Sequence, residues 1–122
     1  MNNIGDLLHP SLEQLVREIK AFNHAWKATS ELFGKDSPFS TSTRDLKNCL
    51  QVRLLLSYAP EQVYLAIDTK AEASEPLYGL RLRQPIGEWK DADHLPVRVV
   101  EEWVQKKWLT LREVEKFKKI QG

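Results

Sequence analysis

A chain of 122 residues and 14.2 kDa, 42% hydrophobic and 29% charged, with a net charge of +1, has the arithmetic of one small folded domain over residues 1–122. This composition excludes a disordered or collagen-like polymer, and near-neutrality lacks the strong positive excess of a dedicated nucleic-acid binder. No run approaches the roughly 20 apolar residues needed to cross a bilayer. Residues 1–6 lack the basic and apolar regions of a secretion signal, and the single cysteine excludes an internal disulfide, so a cytoplasmic chain without membrane contact is expected.

After an N-terminal segment over 1–10, Ser11 and Gln14 have capping-box spacing, and Leu12, Leu15, Val16, Ile19, Phe22 and Trp26 recur with helical period. A long helix over 11–33 is predicted, ended by Gly34, which tolerates positive φ. The stretch from Gly34 to Thr43 is rich in turn formers and reads as a loop with Phe39 as its apolar anchor.

From Leu50 the period changes to two: Leu50, Val52, Leu54, Leu56 and Tyr58 alternate with Gln51, Arg53, Leu55 and Ser57, which predicts a strand. Cys49 at its start reads as a small buried hydrophobe. Ala59-Pro60-Glu61 breaks the run, Val63, Leu65 and Ile67 give a second strand, and Tyr78, Leu80 and Leu82 give a third. The three make an antiparallel meander over 50–84, with Gln51, Arg53, Arg81 and Arg83 on its polar face.

Pro85 and Gly87 end the predicted sheet, and Asp91-Ala92-Asp93-His94 leads to Pro96 at the first turn of a helix, where the two acids complement the helix N-terminus. Thr110 and Glu113 repeat the capping-box signature, completing a helical hairpin over 96–120. The expected fold is therefore α+β: a long N-terminal helix, a three-stranded antiparallel meander and two C-terminal helices.

Asp68-Thr69-Lys70 closes the second predicted strand. Together with the helix–meander–helix order, this triplet resembles the restriction-endonuclease-like nucleases, in which an acidic-x-Lys signature on a strand supplies metal and base. The resemblance covers a topology and three residues. It implies a further carboxylate on the preceding strand, and the predicted strand from Leu50 to Tyr58 has none. His9, His24 and His94 stand apart from one another and from ligand spacing, so no metal and no cofactor is expected. Phosphate loops, nucleophile elbows and zinc-protease motifs are missing, which points away from an enzyme.

Four tryptophans are many for this length. Trp103 and Trp108, five apart, cannot both face one core, and with Tyr78, Arg81 and Arg83 they form the expected contact surface for another protein or a second copy of the chain. The function this favours is a non-catalytic interaction module: an adaptor, an assembly factor or a small subunit of a larger complex. A nucleic-acid alternative uses Lys106, Lys107, Arg112, Lys116, Lys118 and Lys119. Charge is segregated along the chain: residues 61–96 carry four basic against seven acidic side chains, and residues 97–122 carry seven against four.

Overall fold

In the computed structural model, which describes residues 10–68 and 75–118, the elements in chain order are α1 (Leu12–Phe33), α2 (Pro38–Tyr58), β1 (Val63–Ile67), β2 (Leu77–Ile86), β3 (Trp89–Pro96), α3 (Val97–Gln105) and α4 (Leu111–Phe117). The fold is α+β, with a long first helix, a three-stranded antiparallel sheet in the order β1-β2-β3 and two C-terminal helices, as the sequence predicts. The meander, however, occupies 63–96 rather than 50–84. Two compact units are present, residues 1–50 and 51–122, and the division falls within α2.

The first unit is a helical hairpin. Ser11 caps α1 by accepting the Gln14 N–H at 3.1 Å, and Gly34 closes it with φ of 90°. Leu15, Val16 and Ile19 form its buried stripe. The expected loop after Gly34 is only a short turn, because Pro38 occupies the first position of α2, where its missing N–H has no intrahelical acceptor. Ser37 is the cap: its carbonyl accepts from Thr41 at 2.9 Å and its hydroxyl from the Ser40 N–H at 3.1 Å. Buried Ser40 returns a hydrogen bond to the Gly34 carbonyl at 2.8 Å. Further along, Lys47 is 8% exposed, donates to Asn23 at 3.2 Å and lies 5.7 Å from the Trp26 ring.

The predicted strand from Leu50 to Tyr58 is helix. From Lys47 onward the buried positions of α2, Lys47, Asn48, Gln51, Leu54 and Leu55, follow a helical period, but three of these five are polar. Leu46 and Leu56, meanwhile, face outward. Apolarity and burial are thus out of phase, and the residues left over alternate like a strand. Cys49, expected in a core, is exposed on this helix.

The second unit has a conventional core. Val63 and Leu65, Tyr78, Leu80 and Leu82, and Ala92 and Leu95 line one face of the sheet, and Val99, Val100, Leu109, Val114 and Phe117 come from the helices. α3 packs on β3 and α4 on β1. The missing third strand is β3, formed by the segment read as a helix lead-in. Gly87, with φ of 59°, opens the two-residue turn between Ile86 and Trp89, which pair. Pro96 ends β3 and stands just before α3 rather than inside its first turn.

Candidate functional site

The C-terminal helices hold the expected tryptophan pair through one backbone device. The Trp108 N–H bonds the Trp103 carbonyl at 2.9 Å and the Lys107 N–H bonds the Val104 carbonyl at 3.1 Å, with Lys107 left-handed at φ of 63°. This is a Schellman ending of α3, and it fixes the five-residue spacing of Trp103 and Trp108. Trp103 is half-buried, whereas Trp108 is 66% exposed. Leu109 is buried, and Leu111 is 70% exposed. Glycine is the usual residue at the left-handed position, since a Cβ there costs energy. Lys107→Gly is accordingly expected to raise stability by about 1 kcal/mol, read as a higher urea midpoint at unchanged m-value.

The basic residues of this region divide into two groups. Lys106 pairs with Glu102 at 2.8 Å and rests 4.8 Å from the Trp108 ring centre, and Lys118 pairs with Glu115 at 3.6 Å. The hydrogen bond from Lys106 holds the Glu102 carboxyl below its usual range, while Glu75 at 3.1 Å raises the Arg98 guanidinium further. Lys107, Arg112 and Lys116 are exposed, and their side chains have no ion-pair partner among the described residues. Lys119 lies outside the described residues. The Thr110–Glu113 capping box that starts α4 is present in both directions.

The sheet residues of the expected surface belong to two opposite faces. Tyr78 is 6% exposed and packs in the core with Leu80 and Leu82, so its expected surface role is corrected. Period two forces this separation, because Tyr78 and Arg81 are an odd number of residues apart. The outer face carries Tyr64, Gly79, Arg81 and Arg83, with Tyr64 directly opposite Arg81. Arg83 stacks 4.4 Å from the Tyr64 ring centre and donates to the Pro60 carbonyl at 2.6 Å, so it is a structural arginine. Arg81 is exposed, with no hydrogen-bond or ion-pair partner among the described residues.

A bulge in β3 completes this face. Gly79 pairs with His94 and Arg81 with Asp91, so Ala92 and Asp93 together oppose Leu80. Asp93 has φ of 67°, and its N–H bonds the Asp91 carboxylate at 2.9 Å. The extra residue brings Asp91 and His94, three apart, to the same face; regular alternation would separate them. Asp91, Asp93 and His94 are therefore bulge residues rather than helix caps. Gln51, fully buried, donates from Nε2 to the Ala92 carbonyl at 2.9 Å and to the His94 carbonyl at 3.0 Å, clamping the bulge.

His94 Nε2 meets Asp68 Oδ2 at 2.5 Å. Asp68, the acid of the nuclease-like triplet, is thus engaged by an imidazole, and Lys70 lies outside the described residues. Among the described residues no group of three His, Cys, Asp or Glu side chains is placed to hold a metal ion. The pairing of His94 with Asp68 carries no sequence signature, since it depends on strand register across 26 positions.

A separate apolar surface marks the turn of the first unit. Phe33 and Phe39 have ring centres 5.3 Å apart, and both are more than half exposed, as is Leu32. A scan against protein-family models finds no match, and searches of curated proteins and of solved structures find none either.

Proposed function

We propose that this chain is a cytoplasmic, non-catalytic protein–protein interaction module, an adaptor, assembly factor or small subunit, whose partner packs on Trp108 and Leu111. One observation carries the reading: α3, α4 and the turn between them bury Val99, Val100, Leu109, Val114 and Phe117, yet Trp108 and Leu111 are left 66% and 70% exposed. A large exposed indole with an exposed aliphatic chain three residues further on is the composition of an interface hot spot, where desolvation by a partner is favourable. Such a partner gains about 25 cal/mol for each Å² of apolar surface it covers. No helix among the described residues is long and apolar enough to cross a membrane.

The unpaired Lys107, Arg112 and Lys116 support nucleic acid as a second reading. The test is co-purification from the native host with wild-type chain and with a Trp108→Ser/Leu111→Ser variant of equal thermal stability. A protein retained in defined stoichiometry by the wild type and lost by the variant is expected. Identical retained sets, with both chains sedimenting as monomers, overturn the reading. If RNA is retained instead, released steeply by salt, the second reading replaces it.

A further inference from the structure

We propose that the first unit pairs with a second copy of itself through the outward face of α2, antiparallel about a two-fold axis near Arg44. The surface lies wholly within residues 1–50 and stands on its own observations, apart from Trp108.

The solvent side of a helix that buries its opposite face is ordinarily polar. On α2, however, Phe39, Ser42, Leu46 and Cys49 follow one another at intervals of three, four and three residues, and all four are exposed. These intervals keep side chains on one line of a helix and are the spacing of a helix–helix seam. Buried Ser40, Lys47 and Asn48 lie off this line. Phe33 extends it past the turn, with its ring centre 5.3 Å from that of Phe39.

A second copy is the occupant that matches this line. A two-fold interface must be self-complementary: where residue i meets j, residue j meets i. Reversing the line about Arg44 sets Phe39 against the second copy's Cys49 and Ser42 against the second copy's Leu46, so each large side chain faces a small one. A parallel pairing would set Phe39 on Phe39 and Ser42 on Ser42. Charge agrees, because between positions 27 and 46 Lys27, Lys35 and Arg44 balance Glu31, Asp36 and Asp45. Copy therefore meets copy without net repulsion, and a polyanion finds no excess charge to attract it.

Phe33, Phe39 and Leu46 are each more than half exposed, and with Cys49 they offer on the order of 400 Å² of apolar surface. At the roughly 65% apolar content of homodimer interfaces, this corresponds to about 600 Å² per copy. That is the low end of what a specific pair buries, so the dimer is weak and reversible.

The experiment is sedimentation equilibrium of the full chain from about 1 μM to 1 mM. The wild type is expected to pass from monomer to dimer with a midpoint at tens of micromolar, roughly the strength of a small interface. Leu46→Lys places an unpaired charge in the seam but alters an exposed position, so the thermal midpoint stays native while association weakens at least about tenfold. Phe39→Ser is a second variant with the same expectation. Trp108→Ser/Leu111→Ser dimerises like the wild type. A wild type still monomeric at 1 mM overturns the proposal, as does a dimer that survives both α2 variants or is lost in the Trp108/Leu111 variant. In the antiparallel register the two Cys49 residues stand about 15 Å apart along the helices, beyond disulfide reach. A disulfide-linked dimer forming readily on oxidation overturns that register.

Discussion

Replacing Gln51 with leucine is expected to destabilise the chain by about 2 kcal/mol, and replacing it with alanine by about 4 kcal/mol. Gln51 is completely buried, and its Nε2 serves two backbone carbonyls on either side of the bulge residue Asp93. Leucine fills nearly the same volume but has no donor, so both carbonyls lose a partner, at about 1–3 kcal/mol for each that stays dry. Part of that loss is offset, because Gln51 Oε1 is itself buried with no donor among the described residues. Alanine adds a cavity to the same loss, at about 24 cal/mol per Å³. Urea unfolding of the three proteins at constant m-value gives both differences. A leucine variant as stable as wild type would show that the carbonyls need no donor, and the account of the clamp would fail.

The same glutamine explains why α2 was not legible. Sequence periodicity detects burial only when the buried residues are apolar, and this helix buries the polar Lys47, Asn48 and Gln51, of which Lys47 and Gln51 donate hydrogen bonds from their side-chain ends. α1 and α4 were legible because their signals are local: Ser11 with Gln14, Gly34 at positive φ, Thr110 with Glu113. β3 was hidden by its bulge, which places the buried Ala92 and Leu95 three apart and so breaks the period of two. The spacing of Trp103 and Trp108 did carry information, since the two rings differ in exposure as five-residue separation at a helix end requires. The His94–Asp68 pair did not, because each residue alone looks like ordinary surface polarity and only register unites them.

Phe117→Ala is expected to cost about 3–5 kcal/mol, while Trp108→Ser and Leu111→Ser each change stability by no more than about 0.5 kcal/mol. Seven residues are too few to hold a helix in water, so α4 depends on its capping box and on what it buries against β1. Phe117 is 1% exposed and is among the largest fully buried side chains; its loss leaves a void under a helix that has only Val114 as a second buried anchor. Trp108 and Leu111 stand within four residues of this helix start yet meet mostly water, so removing them leaves no cavity. Urea midpoints for the three variants separate the two groups. The contrast also bears on function, because surface apolar groups that do not stabilise the fold require another explanation, and a covering partner supplies it. If Trp108→Ser instead cost more than about 2 kcal/mol, the indole would be structural, and the interaction reading would lose the surface on which it stands.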